Sequence, residues 1–206
     1  WQYSTAKAPW QGGFFERMVG VVKKPLRRVL RTHALSFREL ETVLSEIERM
    51  VNDRPISAVS SDPNEPKALA PSMLLYGYTS QQRLPETSVV LKSADEATAM
   101  IFSERFKKQQ SVLRGFWKQF SNDYLQYLRS AHYRRPQESR SIKPGDVCIL
   151  QSAAPSRAYW PLVKVLSVFG GEGTDRRQRS CEIKTVEGKI LKRPIQLLYP
   201  LEVANF

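Results

Sequence analysis

The chain has 206 residues, of which 41% are hydrophobic and 25% charged, values close to those of folded globular proteins. This length allows one large or two small domains with buried cores, and it excludes a lone peptide motif. No apolar run approaches the roughly 18 residues of a membrane span, so we expect a soluble protein. Thirty-two Lys and Arg against 20 Asp and Glu give a net charge of +12. Such a charge favours a polyanionic partner, either nucleic acid or an anionic membrane surface, over a small-molecule substrate.

The two cysteines, Cys148 and Cys181, are too few for a disulfide scaffold and lack the Cys/His spacing of a zinc site. They predict buried thiols in a reducing compartment, and therefore a nuclear or cytoplasmic protein that is not secreted. The sequence begins at Trp1 and has no signal-peptide pattern. We therefore expect a fragment or a processed piece of a larger protein.

The net charge is distributed unevenly along the chain. Residues 1–35 carry seven basic and one acidic side chain, residues 105–143 carry ten and two, and residues 144–206 carry nine and six. Residues 36–104 carry six basic and eleven acidic side chains, so this stretch is an unfavourable contact for a polyanion. Two basic zones that flank an acidic one indicate a binding role, whereas the alternative is that the charges only solvate helix faces.

Apolar residues recur with helical spacing from Gly13 to about Arg31 and again from Ser36 to Asp53, which predicts two amphipathic helices. Pro25 should kink or divide the first helix, because proline lacks the N–H group and crowds the preceding turn. The second helix starts with a capping box formed by Ser36 and Glu39. Its predicted buried face consists of Phe37, Leu40, Val43, Leu44, Ile47, Met50 and Val51.

The following stretch, from Ile56 to Pro71, is predicted to be a loop, and a short helix over 71–75 should stop at Gly77. A second capping box, Ser93 with Glu96, should open a long helix that continues to Ala131. Gly115 is the place where this helix would break or bend. Phe116, Trp117 and Phe120 share one side of it and are predicted to be core residues, and residues 134–141 form a basic linker.

After Pro144-Gly145-Asp146 the pattern changes to short strands, with a hairpin turn at Glu187-Gly188. Five strands in about 60 residues are typical of a small barrel. The predicted strands are Val147–Leu150, Tyr159–Val168, Ser180–Val186, Lys189–Lys192 and Ile195–Leu198. In a barrel of this size we expect Tyr159 and Trp160 to fill the interior rather than to stack on a base.

One face of the first helix carries Glu16, Gly20, Lys23, Arg27 and Arg31, opposite its apolar stripe. The carboxylate can serve the helix dipole at the N-terminus, with the cations facing solvent. It can also ligate a divalent metal beside phosphate-binding cations, because hard ions such as Mg²⁺ take oxygen ligands. One carboxylate cannot hold two metal ions. The residues alone leave both interpretations open.

A family resemblance is carried by motifs that follow one another in order along nearly the whole chain. They are Ala8-Pro9-Trp10-Gln11-Gly12-Gly13-Phe14-Phe15-Glu16-Arg17-Met18-Val19, Val22-Lys23-Lys24, Leu26-Arg27-Arg28-Val29-Leu30, Asn52-Asp53-Arg54-Pro55-Ile56, Ala70-Pro71-Ser72-Met73-Leu74-Leu75-Tyr76-Gly77, Phe116-Trp117 to Tyr124-Leu125, Lys143-Pro144-Gly145-Asp146-Val147 and Trp160-Pro161-Leu162. Together they resemble the C-terminal part of the integrase of Bel/Pao-type LTR retrotransposons. Each motif is weak by itself, and the ordered combination is specific.

The resemblance implies an α+β protein. It would contain the helical tail of an RNase H-like catalytic core (residues 1–77), a helical connector with a basic linker (78–143) and a five-stranded SH3-like β-barrel that binds DNA (144–206). Glu16 would be the last carboxylate of an Asp-Asp-Glu set that holds two Mg²⁺ or Mn²⁺ ions. The two Asp residues would lie upstream of Trp1, so this chain alone should not integrate DNA. Asp53 and Asp62 are predicted to be structural.

The same resemblance makes DNA the expected partner, with homo-oligomers in the full integrase and no role for a membrane. Lys and Arg contacts to phosphates give an affinity that falls steeply with salt. The predicted DNA-binding residues are Lys23, Arg27, Arg176, Arg177, Arg179, Lys192 and Arg193.

The predicted function is therefore DNA binding in support of metal-dependent strand transfer, the reaction of a polynucleotidyl transferase. One alternative is a non-catalytic DNA- or chromatin-binding protein derived from such an element, in which Glu16 is a relic. Another is a structural role, with the helices over 93–133 mediating assembly and the charge being incidental.

Overall fold

The structure is a computed structural model that describes residues 13–59, 67–78, 96–133, 142–151, 159–170 and 178–203. The predicted capping residue Ser93, Asp62 and the basic linker 134–141 lie outside these residues. Four α-helices and seven strands are present in the described chain. They are α1 (Gly13–Leu30), α2 (Phe37–Asn52), β1 (Ser57–Ala58), β2 (Ala68–Leu69), α3 (Pro71–Tyr76), α4 (Glu96–Tyr133), β3 (Val147–Leu150), β4 (Leu162–Gly170), β5 (Gln178–Thr185), β6 (Ile190–Pro194) and β7 (Leu198–Pro200).

The chain forms two compact units. The first comprises Trp1–Glu48 and Ser88–Tyr124, and the second comprises Arg49–Thr87 and Leu125–Phe206. The mixed α+β composition is confirmed. The functional boundaries predicted at residues 77 and 143 stay a prediction.

In the first unit, α1 is a single helix that continues through Pro25, so the predicted division there is wrong. The Pro25 ring is fully buried, although the two residues that precede it, Lys23 and Lys24, are exposed. Burial of an apolar ring stabilises the helix and offsets the hydrogen bond that proline cannot donate. The bounds predicted for the helix are confirmed within one residue.

The capping box of α2 is formed as predicted. The backbone N–H of Ser36 donates to Glu39 Oε2 at 2.8 Å, and its hydroxyl donates to the same oxygen at 2.9 Å. In return, the N–H of Glu39 donates to Ser36 Oγ at 3.4 Å. These bonds satisfy N–H groups that have no partner inside the helix, so they fix the start of α2.

The buried face of α2 is narrower than predicted. Val43, Ile47 and Met50 are buried, but Phe37 is 80% exposed and Leu44 is also exposed. At about 100° per residue, Phe37 and Leu44 lie roughly 100–120° around the helix from Val43. An apolar stripe in the sequence therefore overstated the width of the packed face.

Helix α4 is continuous through Gly115, so the predicted break is absent from this helix. A Cβ atom at position 115 would lie 3.4 Å from Cγ2 of Val29, which shows that α1 approaches α4 closely here. The predicted core residues Phe116, Trp117 and Phe120 are buried, as predicted. The rings of Phe116 and Phe120 stack with centroids 5.4 Å apart, and helical spacing of four residues brings them together.

In the second unit, the stretch predicted to be a loop contains a two-stranded antiparallel ladder of β1 and β2. The short helix α3 follows directly, as predicted. It ends at Gly77, whose φ of 78° lies in the left-handed region and whose N–H donates to the Met73 carbonyl at 3.0 Å. Glycine adopts this conformation without the steric cost that a Cβ would bring.

The other strands form one antiparallel sheet in the order β6-β5-β4-β3-β7. The predicted number of five strands is confirmed, with the hairpin turn at Glu187-Gly188 joining β5 to β6. The predicted last strand began too early, because a 3-10 turn occupies Ile195–Leu197. Pro194 cannot donate a ladder hydrogen bond, so strand β6 ends there despite the apolar residues that follow.

One apolar cluster supports this sheet from a single side. Cys148, Val163, Val165, Cys181, Ile183 and Leu198 are buried in it, and Ile142, Leu150, Val168, Leu191 and Ile195 pack partly buried against them. All five strands contribute to the cluster. Side chains alternate between the two faces of a strand, so Glu182 and its register partner Lys192 lie on the outer face, whereas Arg193, the register partner of Cys181, lies on the cluster side.

An ion pair buried on both sides joins residues far apart in the second unit. The Arg54 side chain is 9% exposed and that of Glu202 is 8%, and Arg54 Nε donates to Glu202 Oε1 at 3.0 Å. Arg54 also donates to the Val51 carbonyl at 3.1 Å, and the Val203 N–H donates to the Ile56 carbonyl at 2.9 Å. These contacts connect the segment that follows α2 to the residues that follow β7.

Removing one member of this pair should destabilise the second unit. Glu202→Ala leaves the buried guanidinium of Arg54 without its carboxylate, and we expect a loss of about 3 kcal/mol in the free energy of unfolding. The double variant Arg54→Met/Glu202→Leu replaces the pair by apolar side chains and should be closer to wild type. Urea denaturation followed by circular dichroism measures both. A Glu202→Ala variant as stable as wild type would contradict a structural role for the pair.

The α2 cap should make stability depend on pH. Hydrogen bonds from the Ser36 backbone and hydroxyl, and the nearby charge of Lys108, lower the pKa of Glu39 below its ordinary value of 4.5. A carboxyl whose pKa is lower in the folded state stabilises that state above the unfolded pKa, and this contribution is lost as the pH falls through the folded pKa.

We therefore expect Glu39→Gln to be less stable than wild type at neutral pH, with the difference shrinking as the pH falls below 4.5. The control is Glu41→Gln, at an exposed position of the same helix. Urea denaturation at several pH values gives the comparison. A difference that stays constant into the acid range would show that the cap carboxylate does not titrate with folding.

Candidate nucleic-acid interface

Helix α1 presents an exposed basic surface in the first unit. Lys23, Lys24, Arg27 and Arg28 are all exposed, while the Pro25 ring between them is buried. Two of these cations, Lys23 and Arg27, were predicted to bind DNA. Four cations on one exposed helix face can contact successive phosphates, because their side chains already extend into solvent.

The predicted catalytic residue, Glu16, is exposed in the first turn of α1. Across the described ranges of the chain, no group of three or more His, Cys, Asp or Glu side chains could hold a metal ion. Glu16 is therefore the one carboxylate of the implied two-metal set that this chain could supply, and no reaction step follows from this part of the chain. Asp53 is buried at the end of α2, in keeping with its predicted structural role.

A second exposed basic surface lies at the edge of the five-stranded sheet in the second unit. Lys192 and Arg193 are exposed on β6, and β6 pairs only with β5 among the described strands. Arg179 is exposed on β5. The predicted residues Arg176 and Arg177 lie outside the described part of the chain. We call Lys192 and Arg193 the basic edge.

The basic edge adjoins an exposed aromatic ring. Lys192 Nζ lies 4.7 Å from the centroid of the Phe169 ring, and Phe169 is 40% exposed on β4. This distance is within the range of a cation–π contact. Lys192 is also the register partner of Glu182 on β5, so a carboxylate lies on the same face.

The cation at the tip of the β5–β6 hairpin is engaged with a neighbour. Lys189 Nζ lies 2.8 Å from Glu187 Oε2, and both side chains are exposed. The hydrogen bond from Lys189 lowers the pKa of Glu187, and the same bond raises the pKa of Lys189. An exposed pair of this kind contributes little to stability, but it leaves the hairpin tip less basic than the strand that follows.

Some cations of the basic stretch 105–143 make contacts within the protein. Arg129 lies 4.5 Å from the Tyr199 ring centroid and donates to the Gln196 carbonyl, so it joins the end of α4 to the sheet. Lys108 lies 3.8 Å from the Glu39 carboxylate. The charge of residues 105–143 is therefore not wholly directed at a partner.

Three expectations about single residues have clear outcomes. Cys148 and Cys181 are buried free thiols, as predicted, and burial raises the pKa of Cys181. Trp160 is buried as predicted, but Tyr159 is exposed, so its predicted core position is wrong. Tyr159 precedes β4, where the alternation of the strand does not yet direct side chains inward.

Comparison with known proteins finds a partial match. Residues 104–201, just under half of the chain, match a family of unknown function (DUF5641). The match begins within α4 and ends just after β7, so this helix and the five-stranded sheet are similar to parts of other proteins. No curated protein and no solved structure matches the chain. No helix in the described ranges is both long enough and apolar enough to cross a lipid bilayer.

Sequence reasoning missed Phe169 as a candidate site residue. The predicted strand ended at Val168, one residue short of it, whereas β4 continues to Gly170. Its neighbour Val168 packs against the apolar cluster, so strict alternation would have placed Phe169 on the outer face. Its contact with Lys192 depends on the register of three strands and had no signal in the sequence.

Proposed function

We propose that this chain is the C-terminal part of a Bel/Pao-type retrotransposon integrase and that it binds DNA in support of metal-dependent strand transfer by the complete enzyme. The observation that carries the proposal is the basic edge, Lys192 and Arg193, exposed on the outermost strand of the sheet. The ordered motifs of the sequence support this family, and the proposed location is nuclear or cytoplasmic.

An SH3-like barrel is the proposed form of the sheet. In support, all five strands contribute to one apolar cluster, and a 3-10 turn links the two edge strands, β6 and β7. A sheet that packs both its edges against the same cluster must curve around it. The curvature would leave Lys192 on the outside, where it can meet a DNA backbone, while Arg193 stays exposed on the cluster side of the edge strand.

Duplex DNA is the proposed partner because phosphate contacts need only exposed cations. Lys192 and Arg193 on β6 and Lys23 and Arg27 on α1 meet this condition, each pair within its own unit. Binding of this type is independent of sequence. The slope of log affinity against log salt concentration becomes shallower by about 0.9 for each phosphate contact that is lost. An assembly role for α4 is less favoured, because much of its apolar face, including Val112, Phe116 and Leu128, is already buried within the chain.

The alternative function is DNA binding without catalysis. It requires only the exposed cations of α1 and β6, whose exposure does not depend on Glu16. In this case the basic surfaces would serve the same partner, and Glu16 would have no chemical role.

The basic surfaces should control duplex binding. In fluorescence anisotropy with residues 1–206 and a nonspecific duplex across a salt series, we expect Lys192→Gln/Arg193→Gln to reduce the slope by about 2. Lys23→Gln/Arg27→Gln should also reduce it. The control is Arg38→Gln/Lys67→Gln, which removes two exposed cations from the acidic stretch and should change little. Absence of binding at low salt, or an equal loss in the control, would contradict the proposal.

The two functions differ in what Glu16 should do. In an integrase chain that includes the upstream core with its two Asp residues, we expect Glu16→Gln to abolish strand transfer while leaving duplex affinity within about twofold. DNA binding should persist because Glu16 adds no positive charge to the contact. A gel assay of joined DNA products measures the reaction. Absence of strand transfer by the wild-type chain would favour the non-catalytic alternative, and undiminished strand transfer by Glu16→Gln would contradict the catalytic role of Glu16.

A further inference from the structure

The outer face of β4, β5 and β6 presents an aromatic ring beside a narrow side chain. Phe169 on β4 has Ser180 on β5 as its register partner, and Ser180 in turn has Pro194 on β6. Ser180 has a short side chain between two larger ones, and the Phe169 ring is 40% exposed. We call Phe169, Ser180, Lys192 and Pro194 the Phe169 face.

The charges on this face are arranged in a direction. Lys192 lies over the ring, at the exposed edge strand, whereas the next residue, Arg193, is the register partner of the buried Cys181 and lies on the other face. Glu182 lies on the inner strand β5 and accepts a hydrogen bond from the Ser167 hydroxyl at 3.3 Å. A phosphate would be repelled from Glu182 and attracted to β6. A nucleic-acid backbone would therefore run along the basic edge, with its bases turned inward over Phe169.

We propose that the Phe169 face binds an unpaired DNA base by stacking on the ring, while Lys192 turns from the ring to a flanking phosphate. This inference rests on the proposed DNA-binding function and specifies the form of DNA that this face prefers. Bases in a duplex hide their faces from a protein ring, whereas an unpaired base at a strand end or in a single strand offers its own.

The relative strength of the contacts allows this exchange. A cation–π contact at an exposed site is weaker than the stacking of a base on an aromatic side chain. The lysine side chain is flexible and its ammonium is compact, so it can leave the ring without moving the strand. When Lys192 leaves the ring, its ammonium gains an ionic contact with a DNA phosphate. In the free protein Lys192 therefore covers the Phe169 ring, and bound DNA draws it away through this phosphate.

The alternative is that Phe169 and Lys192 only stabilise the edge of the sheet. In that case, the ring would make no distinction between paired and unpaired DNA. The two possibilities differ in the ratio of the affinity for single-stranded DNA to the affinity for duplex DNA. This ratio does not depend on the fraction of active protein in a preparation.

The test compares a single-stranded oligonucleotide with the duplex of the same sequence, by anisotropy with residues 1–206. We expect Phe169→Leu, which keeps an apolar side chain but removes the ring, to weaken single-strand binding about fivefold or more, within the range of a lost stacking contact. Duplex affinity and its salt slope should stay within about twofold of wild type. Phe169→Tyr should restore single-strand binding. The matched control is Phe106→Leu, another exposed phenylalanine, which should change neither affinity.

Each outcome separates this inference from the function on which it rests. If Phe169→Leu leaves single-strand affinity unchanged, or weakens both forms of DNA equally, the inference is overturned while duplex binding through the basic edge stands. If neither form of DNA binds at low salt, the inference and the proposed function both fall. Equal urea midpoints for wild type and Phe169→Leu establish that a loss of binding is not a loss of folding.

Discussion

The apolar cluster on one side of the five-stranded sheet is the constraint on which the candidate site depends. Cys181 and Ile183 on β5 are fully buried in it, and their positions fix which residues of the neighbouring strands face inward. Alternation then leaves Lys192 and Phe169 on the opposite side. A slip of one residue in register would reverse these faces and turn Lys192 toward the cluster, at a large cost in free energy. The exposure of Lys192 is therefore a consequence of core packing.

Each unit combines an apolar interior with a surface that concentrates positive charge. In the first unit, burial of Pro25 and Val29 on α1 leaves Lys23 and Arg27 exposed on the same helix. In the second, long-range contacts hold the sheet in place, including the buried pair of Arg54 and Glu202. The acidic stretch between these elements contains α2, whose carboxylate at Glu39 serves the helix cap. Exposed positive charges thus form the candidate binding surfaces, whereas the carboxylates of Glu39 and Glu202 stabilise the fold.

Local signals predicted the elements well, because their causes lie within a few residues. The Ser36 cap, the stop at Gly77 and the turn at Glu187-Gly188 each follow from hydrogen bonding or backbone freedom at the position itself. The errors arise where neighbours in space decide. Periodicity alone could not show that Phe37 stays outside the packed face of α2.

The candidate site was only partly readable for the same reason. Exposure of Lys23, Arg27, Lys192 and Arg193 follows from their charge and was anticipated. The ring of Phe169 beneath Lys192 depends on pairing between β4, β5 and β6, which no local pattern encodes. The ion pair of residues 54 and 202 joins positions 148 apart in the chain, so sequence spacing contains no trace of it.

The central claim is that duplex DNA contacts this protein through the basic edge of the sheet. Amide chemical shifts of isotopically labelled residues 1–206, recorded during titration with a nonspecific duplex at low and at high salt, test it most directly. The account predicts shift changes concentrated on β6 around Lys192 and on α1 around Lys23, absent from α2, and suppressed by salt. Changes that map to α2 and α3 instead, or that persist at high salt, would contradict it.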